Sequence, residues 1–309
     1  MINRRTTKQG VLLGPFLDKL VERYHHPRFL GTDPLVMVHG FPDARDKEIA
    51  ALFAALLAYG NVKQINASLQ RLFAAMDGRP GMFVREFDYA TAAKKLAGFK
   101  HRFNDEQDIL CLCWLLSQIM QKQSLEDAFR QGCDSGESDL IGALSAFGAL
   151  LRTQDFAPWF SRKKMLAKSS FRHLLADPGG GSACKRWHLW LRWMVRPADG
   201  VDLGLWSTIP ASKLLMPVDT HILRICQNLG MIKKAGASLA SSREITARLR
   251  TADATDPVRY DFALCRLGIL QACPTVSNLE ACNTCELHPV CAKRKLLERR
   301  AGARRGGGA

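Results

Sequence analysis

Four cysteines, Cys273, Cys282, Cys285 and Cys291, fall within nineteen residues as C-x8-C-x2-C-x5-C. Thiolates so close along the chain can surround one small inorganic core, and soft sulfur ligands select an iron-sulfur cluster or zinc. Structural zinc sites more often use two tight C-x2-4-C pairs. Only Cys282 and Cys285 are closely paired here, so the spacing favours [4Fe-4S], with zinc as the alternative. The other six, Cys111, Cys113, Cys133, Cys184, Cys226 and Cys265, lack such company. Most fall on apolar helical faces, where a thiol acts as a small buried hydrophobe.

A lysine and an aspartate are the next candidates. Lys185 follows the turn Pro178-Gly179-Gly180-Gly181 and opens an amphipathic segment. Glycines let a backbone come close to a phosphate, and a helix start offers free N–H groups and partial positive charge. At helical spacing Lys185, His188, Arg192 and Arg196 form one stripe, and Trp187, Trp190, Leu191 and Met194 another. The basic stripe is either a phosphate contact or an ordinary solvated face. Further on, Met216-Pro217-Val218 is extended and turns into a helix at Asp219. Aspartate there caps the helix by accepting from N–H groups two and three residues on. A carboxylate so held stays ionised, and can also support a developing cation or activate an amine or water. His221 reads as a helix-surface or core residue.

The elements that must position these groups read as helices, because apolar residues recur at three- and four-residue intervals and no run alternates cleanly. The fold class is all-α. Lys47 to Tyr59 is apolar nearly all round, as in a helix at the centre of a bundle, with Asp46 available as cap and Gly60 as stop. Asp108 to Met120 is a second buried helix, Lys185 to Arg196 a third, and Asp219 to Leu229 a fourth, ended by Gly230.

Charge narrows the partner. In 309 residues, 44 Lys and Arg against 29 Asp and Glu give +15, which points to a polyanion, either nucleic acid or an anionic membrane surface. The longest apolar runs, Ile49 to Tyr59 and Ile109 to Leu116, fall short of the roughly 20 residues that span a bilayer. The N-terminus is basic without a following apolar core, so no secretory signal is read and a cytoplasmic location is expected. A reducing compartment makes metal ligation or burial the better reading of the cysteines. Residues 293–309 hold seven basic residues against one Glu and end in glycines, a flexible tail that either adds phosphate affinity or is merely solvated.

Taken together, Pro217-Val218-Asp219-Thr220-His221-Ile222, then Leu267-Gly268-x4-Cys273 and the cysteine loop, resemble the endonuclease III-like helix-hairpin-helix DNA glycosylase superfamily. Glu48 to Asn66 is similar to that superfamily's early buried helix and DNA-facing turn, so the resemblance covers most of 46–292. It implies two helical domains, 47–215 and 1–46 with 216–292, followed by the tail 293–309, with Lys185 and Asp219 facing each other across a cleft between them. Asp219 takes the catalytic aspartate's place and Lys185 that of the Schiff-base lysine, kept partly neutral by burial and by cations such as Arg186. A monomer acting on damaged double-stranded DNA in the cytoplasm, at the nucleoid and not at a membrane, is implied. It would release a base, an oxidised one among the candidates, and then cleave the abasic site. Gly179, Gly180, Gly181 and Arg186 would grip the backbone. Tyr59, Asn61 or Gln64 would fill the gap left by a flipped nucleotide. The glycine hairpin and the first cysteine gap are longer than usual, and the superfamily's wedging glutamine is not matched at Tyr59-Gly60-Asn61, with Gln64 one turn away. Two other readings therefore stay open: a monofunctional glycosylase using Asp219 and water, and a nucleic-acid-binding protein that keeps fold and cluster without catalysis.

Overall fold

The computed structural model describes residues 4–233, 236–275, 279–294 and 296–298, with residues 4–11, 279 and 281 described by backbone alone. Most of the basic tail thus lies outside the described residues. The described chain is helical apart from one antiparallel pair of two-residue strands, Lys100–His101 with Asn104–Asp105. No described helix is long and apolar enough to cross a membrane.

Contacts divide the chain into two units. The larger comprises Leu30–Gly180 and Leu189–Ile209, and the smaller Met1–Phe29, Gly181–His188 and Pro210–Ala309. The boundaries differ from those expected. Residues 30–46 belong with the central helices because the helix Val36–His39 packs on Ala44–Leu56 and His39 Nε2 bonds the Val201 carbonyl at 2.7 Å. Conversely, the segment holding Lys185 joins the smaller unit, since Ser182 bridges Ser238 and the Leu239 N–H donates to the Gly181 carbonyl at 3.1 Å.

At the heart of the larger unit is the helix Ala44–Leu56, buried on every side from Ile49 onward, as its lack of polar positions requires. Its cap is Asp43, which accepts from the amides of Arg45 and Asp46 at 2.8 and 3.3 Å. Asp46, the expected cap, instead accepts from the Gly81 N–H at 2.8 Å and ties the helix Pro80–Arg85 against this one. Gly81 permits that approach, because a Cβ there would lie 2.8 Å from the Arg45 carbonyl oxygen. The helix ends at Leu56, before Gly60, whose φ of +100° serves the turn that follows.

The helix Glu106–Met120 begins with a capping box of Asp105 and Asp108. Asp108 is fully buried and bonded by Asn104 Nδ2 at 2.7 Å, Ser170 Oγ at 3.1 Å and Lys168 Nζ at 2.8 Å. Trp190, Trp193 and Trp206 fill the core, and Trp206 Nε1 donates to Glu48 at 2.7 Å.

The basic stripe of the helix Lys185–Val195 is not a phosphate face. His188, Arg192 and Arg196 are buried; Arg192 Nε donates to Asp202 at 3.0 Å, and Arg196 pairs with Asp202 and, at 3.4 Å, with Asp199. The segment after the helix folds back to bring both carboxylates to the arginines, a return that helical periodicity does not encode.

The smaller unit contains the helices Arg4–Tyr24, Thr220–Asn228, Leu239–Leu249 and Asp261–Ile269. The first went unassigned in the sequence, although Leu13, Leu17, Leu20 and Tyr24 recur at helical spacing and all are buried.

Because the neighbour of Gly81 is backbone and not a movable side-chain tip, Gly81→Ala should destabilise the protein by about 1–3 kcal/mol, the usual scale of overpacking. Urea unfolding checks this, and an unchanged midpoint would show that the two helices separate freely.

Candidate functional site

Lys185 and Asp219, far apart in sequence, touch. Lys185 is the first residue of its helix and follows Cys184, whose φ of +37° turns the chain sharply into it. Asp219 is the N-cap of Thr220–Asn228. Its two oxygens divide the work: one accepts from the Ile222 amide at 2.8 Å and the other from Lys185 Nζ at 2.7 Å. Both residues belong to the smaller unit, so the pair lies within one unit and not across a cleft between two domains. Solvent still reaches them, with 32% of the Lys185 side chain and 16% of the Asp219 side chain exposed.

Each charge holds the other. Burial by itself would lower the lysine pKa, but the Asp219 carboxylate beside it overrides this and leaves Lys185 above the usual lysine value. Burial likewise works against Asp219, yet the Lys185 ammonium and the Ile222 N–H keep it below the usual carboxylate range. This reverses the expectation of a lysine kept partly neutral by burial and by cations such as Arg186. The resting pair is ammonium and carboxylate.

The helix that Asp219 caps also reaches the cysteine loop. Cys273, Cys282, Cys285 and Cys291 all line one cavity of about 40 Å³, together with Ile225 and Asn228 of that helix. Arg224 Nη1 points at Cys273 Sγ from 3.4 Å, and Asn228 Nδ2 from 3.6 Å. Arg224 also donates to the Cys273 carbonyl at 2.7 Å and the Pro274 carbonyl at 3.1 Å, while the Cys291 thiol donates to the Asn228 carbonyl at 3.4 Å. Burial pushes the Cys282 thiol up, and the Cys285 thiol up to about 11. Arg224 and Asn228 were not singled out in the sequence, although their four-residue spacing puts them on one helix face.

The glycine hairpin is less open than its composition suggests. The Gly179 N–H donates to Ser145 Oγ at 3.1 Å and Asp177 Oδ1 at 3.0 Å, and the Gly180 N–H to the Asp177 carbonyl at 3.2 Å. Two of the three amides therefore have intramolecular partners. Gly181, at φ +82°, has open space where a Cβ would stand. Arg186 is half-buried.

At the turn in the larger unit, Tyr59 is anchored: its hydroxyl donates to Asn104 Oδ1 at 2.5 Å and the His101 carbonyl at 3.1 Å, and its ring packs against His101, Phe103 and His173. Asn61 caps the helix Val62–Ala75 through the Lys63 amide at 2.9 Å, and Gln64 stands exposed on that helix's first turn. A residue the sequence did not flag projects instead. Phe103, in the two-residue turn of the small hairpin, is 47% exposed and stacks on Tyr59 with ring centroids 5.1 Å apart. Pattern reading finds no signal for a hairpin of only six residues.

The family described as "Protein of unknown function (DUF2400)" matches residues 33–270. This chain belongs to it. Within the DUF2400 match lie Lys185, Asp219 and the Tyr59 to Phe103 turn, whereas the four cysteines follow its end. No curated protein and no solved structure is significantly similar to the chain.

The shifted pKa values fix when the ion pair stabilises. Lys185 contributes below the unfolded lysine value of 10.5 and loses this as pH rises through its raised folded value. Asp219 contributes above the unfolded value of 3.8 and loses this as pH falls through its lowered folded value. Near neutrality both are in force. Asp219→Asn keeps the cap oxygen but strands the lysine, so it should destabilise by about 1–3 kcal/mol, between an exposed and a fully buried pair. In a Lys185→Met background the same change should be nearly neutral; equal losses in both backgrounds would mean no coupling.

Proposed function

We propose that the protein is a base-excision DNA glycosylase with abasic-site lyase activity, of the helix-hairpin-helix superfamily, with Lys185 and Asp219 as its catalytic pair. The observation that carries this is the 2.7 Å contact between Lys185 Nζ and Asp219 Oδ2, two residues brought together at the starts of two helices with solvent access to both. An amine and an ionised carboxylate so arranged suit displacement at a sugar C1′. Lys185 first gives up a proton; its lone pair then attacks C1′, and the glycosidic bond breaks with its electron pair leaving on the base, which takes up a proton. The Asp219 carboxylate balances the positive charge that builds on the sugar. The C1′–O4′ bond of the covalent adduct then breaks, its electron pair and a proton going to O4′, which leaves a protonated imine between Lys185 and C1′; loss of the C2′ proton then expels the 3′ phosphate.

The raised Lys185 pKa favours a second reading, in which Asp219 activates water and Lys185 serves only as a fixed positive charge. Borohydride distinguishes the two. With duplexes carrying oxidised or abasic lesions, wild-type protein should form a borohydride-trapped covalent adduct and Lys185→Gln should form none. Base release without trapping by the wild type would establish the water route. Asp219→Asn should lower base release about a hundredfold on either route. With Tyr59 anchored, Phe103 and Gln64 are the exposed side chains of this turn, and Phe103→Ala should weaken DNA binding more than Tyr59→Phe.

The four cysteines fit a [4Fe-4S] cluster. All line one cavity, and a guanidinium and an amide N–H aimed at the Cys273 sulfur suit a thiolate better than a thiol. Bound there, such a cluster would tie the parts of the loop together beside the helix that Asp219 caps. Anaerobically purified protein should contain iron; Cys282→Ser should lose both iron and soluble yield, while Cys113→Ser keeps both. Stoichiometric zinc without iron would overturn the assignment.

A further inference from the structure

Away from the Lys185–Asp219 pair and the cysteine loop, the segment after the helix Ile141–Thr153 carries an unusual surface. Residues 156–176 contain Arg162, Lys163, Lys164, Lys168 and Arg172 and no aspartate or glutamate. Lys168 is paired with Asp105 and Asp108. Arg162, Lys163, Lys164 and Arg172 are exposed, and among the described residues none of them forms an ion pair. The carboxylates that flank the segment are engaged by amides: Asp155 by Ala157 N at 2.9 Å and Asp177 by Gly179 N at 3.0 Å.

Immediately before these cations stands Trp159, 45% exposed. Its ring lies on Tyr89 with centroids 4.6 Å apart and planes only 3° from parallel, and Phe160 meets the edge of the same tyrosine at 5.8 Å. An indole backed this way is held flat, so the face it turns to solvent is ready for another planar group at little entropic cost. Asp88, beside Tyr89, is occupied in capping its own helix through the Thr91 amide at 2.8 Å.

We infer that Trp159 and the cations of 162–172 form a binding surface for single-stranded DNA, Trp159 stacking an unpaired base while Arg162, Lys163 and Lys164 meet the adjoining phosphates. Bases in a duplex hide their faces in the stack, whereas an unpaired base offers one; a flat aromatic next to unpaired cations is the arrangement that exploits this. The surface thus adds a preference for DNA with an unpaired stretch. It rests on the nucleic-acid reading above only in the choice of DNA as partner, and its test needs no turnover, so it stands or falls apart from Lys185 chemistry.

Among the six tryptophans Trp159 alone is exposed, Trp114 being half-buried and the other four buried, so its fluorescence reports on this surface. An oligothymidylate of about twelve nucleotides should quench the full chain, and a duplex of equal length should not. Labelled oligothymidylate should bind Trp159→Ala, and the pair R162E with K163E, about tenfold more weakly by anisotropy, with Trp159→Phe restoring most of the loss. Matched thermal melts would exclude misfolding. Equal affinity of wild type and Trp159→Ala, absence of quenching, or quenching by anionic phosphatidylserine vesicles in place of DNA would each overturn the proposal.

Discussion

A half-buried ammonium gains from a carboxylate in reach, and the chain around Lys185 in the smaller unit meets that need. Asp219 meets it while capping a helix, one oxygen for each task. Lys185 can answer only because the chain before it turns sharply at Cys184 and is fixed by the bridge from Ser182 to Ser238. Two helix starts are thereby locked to one carboxylate, which explains why the first turn of Lys185–Val195 goes with the smaller unit while the rest of that helix goes with the larger.

The helix Thr220–Asn228 carries this constraint onward. Nine residues at 1.5 Å each make it about 14 Å long. Asp219 stands at its start, and Arg224 and Asn228 further along face the Cys273 sulfur. Its apolar face, Ile222, Leu223, Ile225 and Cys226, is buried, so the helix cannot shift to suit one end without disturbing the other. The cysteine loop thus rests on the same helix that sets the position of the Asp219 carboxylate.

The surplus of positive charge is not spread as composition suggests. Arginines from the stripe that looked most like a phosphate contact are paired with Asp202 in the core, whereas the exposed cations include the acid-free stretch between Asp155 and Asp177. Burying Arg192 and Arg196 is tolerable only because Asp202 is buried with them. Two exposed aromatics, Phe103 and Trp159, are each braced by a tyrosine, so the larger unit presents flat rings in fixed orientations.

The sequence alone determined the all-α class, the buried helix around Ile49 to Leu56, the cap at Asp219 and the existence of a four-thiol array, because each follows from local periodicity or spacing. Helix ends were less secure: Asp43 and not Asp46 caps the central helix, since Asp46 is claimed by a Gly81 amide thirty-five residues away. Only the tertiary structure could decide that Lys185 meets Asp219 inside one unit, that the Gly179 and Gly180 amides are already bonded, that Tyr59 is anchored and Phe103 exposed, and that His188, Arg192 and Arg196 of the basic stripe are core. The physical reason is common to all of these. A charge or a donor is free or occupied according to partners brought from elsewhere in the chain, and helical periodicity records which face a residue occupies but not what comes to meet it.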